Sequence, residues 1–541
     1  MPSVYSGVRS LAPRRSAFNL SYEKKLTCDM GQLIPVVCDE VVPGDSWHIG
    51  IELVARMMPA VAPVLHEINA FVHYFFVPYR LLWGPASKIS ESGSWEGFIT
   101  GGEDGQNADT LPTWVVTHGN VTNGNGGVVP ENGVGSLWDY FGFPVTDAGI
   151  IPAGAYPLDF PRRAYNLVYN QFYRDENLIS EVAIAGAAAT CSVVRQRAWR
   201  KDYFTSMLPW QQRGTAGAMP VTIAGSAVWG GGSFANSGPP GGSSAAYWQN
   251  VADAKAYISG VQQVANMTAF MNANTISATA TTFNVADLRL AFQIQKWQER
   301  NARGGARYTE FLKAHFGVAP RDERLMRAEY IGGTKMPVIV SEVLQTSATG
   351  LTGGSTPQGG MAGHGLLAGR DFCAKYYAQE HGLILGIMSI MPAPAYGQGI
   401  DRQWNGATRK TKFDFYSPEF AHLSEQAVLL SELWATNADG TGAGQNRRVI
   451  GYQGRYNEMR SKFSQTCGLM RYGVTGALAF WHLARNFGSE PALNQSFVEC
   501  VPRKDFLAAP SQPAFIVNVA NIIKAVRPLP IESDPGLVDH S

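Results

Sequence analysis

Charge is what this sequence has little of. Of its 541 residues only 16% are Asp, Glu, Lys or Arg, against about a quarter in an ordinary soluble chain. Like charge keeps isolated proteins apart. So large a chain with few charges and 11% aromatics is therefore expected to cover much of its surface with partners. The formal net charge of +1 excludes a globally basic nucleic-acid binder and leaves only local contacts of that kind. Cysteine is scarce too. The six (Cys28, Cys38, Cys191, Cys373, Cys467 and Cys500) contain no CxxC pair, which argues against a zinc site and a dense disulfide framework and predicts reduced, mostly buried thiols. Residues 1–15 carry arginines but no apolar stretch, so no signal peptide is read there. No apolar run is long enough to span a bilayer. A cytosolic origin is the expectation.

The inventory of catalytic motifs is thin. There is no GxxxxGK[ST] loop, no HExxH and no GxSxG elbow. Gly363-His364-Gly365-Leu366-Leu367-Ala368 matches GxGxxA in form, but it follows a Gly-rich tract and not a strand, so a dinucleotide site is not read there. His381 beside Glu380, and His66 and His73 in or near a strand, fit hydrogen-bonded structural roles better than acid–base work. An enzyme on a β-sandwich, such as a glycoside hydrolase, needs two carboxylates roughly 5–10 Å apart across a cleft, and no pattern picks out such a pair. A receptor- or carbohydrate-binding β-sandwich module is the alternative class. It predicts exposed aromatics around a groove in a small oligomer.

What the sequence does have is β-structure, glycine and aromatics. Residues 31–42 give two short apolar runs broken by Pro35, and Pro43-Gly44-Asp45 marks a turn. Trp47, Ile49 and Ile51 alternate with polar or small residues, the pattern of a half-buried strand. Residues 68–77 (INAFVHYFFV), stopped by Pro78, and residues 382–391 (GLILGIMSIM), stopped by Pro392, read as core strands. Helices interrupt this pattern. Tyr165, Val168, Tyr169 and Phe172 share one helical face within residues 161–178. Asn284 caps a helix that Gly304-Gly305 ends, and residues 308–316 form another short one. The whole is expected to be mainly β: a single sandwich with long loop insertions containing short helices. Residues 346–369 read as an ordinary surface loop.

One insertion departs from the rest. Within residues 214–282 the only charged side chains are Asp253 and Lys255. Low complexity of this kind is the mark of a flexible linker or disorder, but Trp229, Phe234, Tyr247, Trp248 and Tyr257 are costly to leave in water, so an extended loop that packs on copies of itself fits better. Basic residues cluster locally instead. Arg9, Arg14 and Arg15 mark an N-terminal arm (residues 1–18), and Arg195, Arg197, Arg200 and Lys201 surround Trp199. Cations interleaved with aromatics suit single-stranded nucleic acid; the competing reading is a solvated or ion-paired face.

Several blocks, taken in order, resemble the major capsid proteins of the Microviridae, nearest the gokushovirus-like phages. They include Cys28-Asp29-Met30-Gly31-Gln32-Leu33-Ile34-Pro35, Tyr74-Phe75-Phe76-Val77-Pro78-Tyr79-Arg80-Leu81-Leu82-Trp83 and Arg163-Ala164-Tyr165-Asn166. Lys201-Asp202-Tyr203-Phe204-Thr205-Ser206-Met207-Leu208-Pro209-Trp210, Glu380-His381-Gly382 and Phe415-Tyr416-Ser417-Pro418-Glu419-Phe420 follow, so that the set spans roughly residues 19–430. The resemblance implies an eight-stranded jelly roll over residues 19–541. It implies a non-enzymatic structural protein that self-assembles into an icosahedral T=1 shell around circular single-stranded DNA. It also implies that residues 214–282 form a protrusion at the threefold axes. The implied partners are the chain itself, packaged single-stranded DNA, a small basic internal DNA-binding protein, a scaffolding protein and a host surface receptor. No cofactor, metal or membrane is implied, and the place is the virion, assembled in the bacterial host cytoplasm.

Overall fold

The computed structural model describes residues 15–84, 93–100, 109–114, 120–122, 128–130, 133–144, 156–185, 189–213, 223–224, 248–250, 256–258, 279–280, 285–304, 313–314, 321–322, 326–344, 361–422, 425–435 and 445–531. Eight long strands make the core. They are β1 (Tyr22–Cys28), β2 (Ile34–Val41), β3 (Ser46–Met57), β4 (Ile68–Pro78), β5 (Glu329–Leu344), β6 (Met361–Tyr377), β7 (Gly382–Pro392) and β8 (Phe515–Arg527). Every pairing among them is antiparallel, and the order runs β1-β8-β3-β6-β5-β4-β7-β2. Cut between β6 and β5, this path gives two four-stranded layers, β1-β8-β3-β6 and β5-β4-β7-β2. That order is the jelly roll.

The cut falls where β5 changes neighbours. Its first part, Glu329 to Val338, lies against β4, and its last part, Ile339 to Leu344, pairs with β6 as a two-stranded ribbon. Pro337 sits at the changeover, where the β6 register has not yet resumed. A missing N–H is tolerated on the side where no β6 residue is in register. Pro35 follows the same logic. The sequence suggested two runs broken by this proline, but the structure has one strand through it. β2 is the edge of its layer, paired only with β7, and the register shifts by a bulge where Pro35 faces Ile387.

The core packs large side chains. Trp47, Tyr74, Phe75, Phe76 and Phe515 are all buried, each worth about 1.5–3 kcal/mol on burial. Asp45, itself buried, closes one corner of the roll. Its Oδ2 accepts from Trp47 Nε1 at 3.2 Å and pairs with Arg527 Nε at 3.3 Å.

Two expectations need correction. Residues 361–369, read as part of a surface loop, are the start of β6. Their glycines come from close packing: a Cβ on Gly363 would stand 2.5 Å from the Ala62 carbonyl oxygen, and one on Gly365 2.7 Å from Met57 Cβ. The GxGxxA match therefore belongs to a strand, not to a phosphate loop. The helix read over residues 161–178 is shorter. α2 (Phe160–Val168) passes into a π turn, Tyr169–Tyr173. The helix expected after Asn284 is present as α3 (Val285–Gly304), while Asn284 itself and most of residues 308–316 lie outside the described residues. A short helix α1 (Trp95–Thr100) precedes both.

The chain divides into two compact units, one of Met1–Gln211 with Asn301–Ser541 and one of Gln212–Arg300. The second unit contains two small antiparallel pairs, Trp248–Asn250 with Ala256–Ile258 and Ile223–Ala224 with Thr279–Ala280. All six cysteines are free; Cys28, Cys191 and Cys500 are buried and Cys467 is exposed. Burial pushes the Cys38 thiol up to about 12, so it stays protonated. Among the described residues no His, Cys, Asp and Glu group could hold a metal ion, and no helix is long and apolar enough to cross a membrane.

Candidate nucleic-acid interface

The outer side of the β5-β4-β7-β2 layer is covered, and the cover leaves a groove of about 1240 Å³. Its floor follows from the period of a strand: Asn69, Phe71, His73 and Phe75 are alternate residues of β4 and face the same way. Tyr330 and Lys335 of β5 continue the floor, and Phe172 and Tyr173 of the π turn form one wall. Residues 197–201 also line the groove. This stretch is held by backbone bridges on both sides, Gln32 with Gln196 and Ala198 with Glu499.

Cations outnumber anions in the lining. Arg174, Arg197, Arg200, Lys201, Arg303, Lys313 and Lys335 face Asp175 and Glu176. Some are held by partners: Lys201 by Asp175, Arg303 by Glu425 at 2.9 Å and Lys335 by Glu67 at 3.5 Å. Arg197 sits deepest. Its guanidinium lies 4.7 Å from the Phe71 ring centroid and 5.5 Å from that of Tyr173, and Nη1 donates to Ser389 Oγ at 2.8 Å. Burial lowers its pKa, yet a guanidinium stays charged in a protein. His73 Nδ1 is 2.8 Å from Tyr173 Oη. Burial, reinforced by the Arg197 charge, lowers its pKa to about 4, so the ring is neutral near pH 7. The result is a groove in which Phe71 and the half-exposed Tyr330 are the accessible rings and cations surround them, which suits the bases and phosphates of a single strand.

The sequence expectations fare unevenly. Arg197, Arg200 and Lys201 do come together here. Trp199 is no stacking platform, because it is 4% exposed with the Arg485 guanidinium 5.3 Å from its ring centroid. Arg195 lies over Tyr169 at 5.8 Å, not in the groove lining. Of the arm, Arg9 and Arg14 lie outside the described residues. Arg15 is bound to the body: its Nη2 donates to Tyr377 Oη at 3.2 Å. Trp229, Phe234 and Tyr247 also lie outside the described residues, while Trp248 and Tyr257 stand on the paired strands of the second unit. The floor residues Phe71 and His73 and the distant Lys313 and Lys335 were not singled out as site residues. The sequence signal for the floor was present in the run of residues 68–77, where polar and aromatic residues face one way. The His381 ring lies 5.6 Å from that of Trp95. His66 Nε2 is 2.6 Å from the Ala393 carbonyl oxygen, and Glu380 beside His381 forms a two-bond pair with Arg80.

Comparison with known proteins agrees with this architecture. A family model described as capsid protein (F protein) matches residues 6–537. The chain is 32% identical to capsid protein VP1 of Chlamydia phage 1, covering 99% of this chain and 98% of that protein. It is 31% identical to capsid protein VP1 of Bdellovibrio phage phiMH2K, over 97% and 96% of the two chains. Capsid protein VP1 of Spiroplasma virus 4 is 28% identical, over 97% of this chain and 95% of that protein. A match of this extent, on a jelly roll with few charges, places the chain in the capsid protein (F protein) family, as a structural, non-enzymatic capsid subunit that assembles with itself and resides in the virion.

Proposed function

We propose that the shell built by this chain is a T=1 icosahedron around circular single-stranded DNA, and that the groove over β4 holds segments of that DNA. The observation that carries this reading is a chain of net charge +1 that gathers seven cations and several aromatic rings into one groove. Aromatic floors accept any base by stacking, and fixed cations take the phosphates without reading sequence, which suits a packaged genome. Arg9, Arg14 and Arg15 of the arm offer a second, separate contact to the DNA, Arg15 from its place beside Tyr377. Residues 214–282, with Trp229, Phe234, Tyr247, Trp248 and Tyr257, build the threefold protrusion, where three copies cover one another's apolar surface; a host surface receptor is a further partner of the shell. Assembly takes place in the bacterial host cytoplasm, with a scaffolding protein and a small basic internal DNA-binding protein as partners.

The test is binding of a fluorescent oligothymidylate to the purified chain across a salt series. Changing Arg200, Lys313 and Lys335 to Glu reverses three of the seven cations that line the groove. The expected result is at least tenfold weaker binding and a salt slope reduced by about 0.7 for each phosphate no longer neutralised. Affinity and slope like those of the parent would remove the groove from DNA binding. The alternative, a carbohydrate- or receptor-binding module, would show a small oligomer that never forms particles.

A further inference from the structure

The segment between β7 and β8 presents a face that neither the core nor the groove uses. Trp404, Phe413, Phe415 and Tyr416 are 79%, 50%, 54% and 58% exposed. Their loop is anchored from below. Arg402 Nη1 donates to the buried Glu432 Oε1 at 2.8 Å, and Arg409 Nη2 lies 3.5 Å from Glu458 Oε1. Arg455 Nη2 donates to the Phe413 carbonyl at 2.8 Å, and Tyr456 Oη donates to that of Phe415 at 3.0 Å. The Arg409 guanidinium also sits 5.0 Å from the Phe415 ring centroid. The arginines are thus engaged in holding the rings, while Lys410 and Lys412 stand exposed at the rim. Fixed aromatic anchors beside a cationic rim are the chemistry of a protein–protein hot spot. With its arginines engaged, the face keeps Lys410 and Lys412 for a partner, far fewer cations than line the groove over β4.

A complementary surface exists on the same molecule. At the Gly382 end of β7, opposite the Pro392 end from which the aromatic segment departs, carboxylates gather. Glu40 is in register with Leu383, and Glu329 with Phe76, one strand over. Glu380 Oε2 holds Arg80 Nε at 2.7 Å, and Glu96 of α1 is within electrostatic reach of the same arginine. Glu40 and Glu96 are exposed.

We propose that the Trp404–Tyr416 face docks, with Lys410 and Lys412, on the Glu40–Glu380 end of a second copy of this chain. Because the two surfaces differ, the contact is heterologous. It passes from copy to copy and closes around an axis, as a shell requires, whereas a self-complementary patch would stop at a dimer.

The experiment is a charge-reversal cycle in the full chain, read as the fraction of chains sedimenting as particles. The two variants are Lys410→Glu with Lys412→Glu, and Glu40→Lys with Glu96→Lys. Each alone is expected to lower that fraction at least tenfold, and both together to restore it to within about threefold. Trp404→Ala, which changes no charge, is expected to reduce it as the single reversals do. Thermal melting of the dissociated subunit, unchanged in every variant, separates a failed interface from a failed fold. Normal particle yield in each single reversal, or no recovery in the combination with melting intact, would overturn the proposal. So would normal yield with loss of nuclease-protected DNA in the lysine variant, which would make the face a nucleic-acid site.

Discussion

The two layers of the roll solve the same problem with different sequences. β7, in the covered layer, is buried along its whole length from Gly382 to Pro392. β8, in the other layer, alternates: Phe515, Val517, Val519 and Ile523 are buried, while Ile516 and Lys524 are exposed. The cause is what lies outside each layer. α2 and the groove walls cover the first, with Tyr165 Oη donating to the Leu33 carbonyl at 2.9 Å. The registers place His48, Gly50, Glu52, Val54 and Arg56 of β3 on the outer side of the second, beside Phe372 at 61% exposure and Ile516 at 54%. A covered layer can carry a groove because its outer side chains are already fixed. A bare one can only offer a surface.

Three predictions put this contrast at risk, each measured on the dissociated subunit. The largest effect is expected at the cover itself. Asp159 accepts from the buried Arg162 Nε at 2.6 Å and from Arg163 Nε at 2.7 Å. Asp159→Ala removes the carboxylate that the two buried guanidiniums share and should cost about 3–5 kcal/mol in urea unfolding. A loss below about 1 kcal/mol would show that the cover is not held by this pair. Next comes a matched pair of truncations, one in each layer. Ile384→Ala, at a fully buried site, should cost about 2–5 kcal/mol. Ile516→Ala should cost no more than about 0.5 kcal/mol. Equal losses would erase the difference between the layers.

The smallest effect is a pH dependence. The folded pKa of His73, about 4, lies below the ordinary value of 6.5. The unfolded chain therefore binds the proton first as pH falls. The stability this neutral ring provides is complete above pH 6.5 and is lost as pH drops towards 4, by at most about 3 kcal/mol. His73→Gln should flatten the stability profile between these values, and an unchanged profile would place the acid sensitivity elsewhere.

The same contrast explains what could be read from the chain. β7 announced itself because a strand buried along its whole length appears as a nearly continuous apolar run, ended by Pro392, and β4 through its aromatic and β-branched run ended by Pro78. β3 showed through the alternation of Trp47, Ile49 and Ile51. β8 carries a similar alternation, but the residues that give it meaning are far away: Val519 pairs with Leu53. β6 was hidden by its own glycines, which look like a loop until Ala62 and Met57 are seen against them. In the groove, the cluster around Trp199 was visible while its roles were not. Whether a tryptophan or its neighbouring arginine faces the cavity depends on Arg485, nearly three hundred residues on. Lys313 and Lys335 reach the same groove only through the fold.

The decisive observation would come from electron cryomicroscopy of particles assembled from the full chain. The expected image is a closed shell of this jelly roll with the β4 groove turned inward and density for single-stranded DNA lying over Phe71, Tyr173 and Arg197. A shell with that groove on its outer surface, or filled by a neighbouring subunit, would contradict the assignment of the groove to DNA.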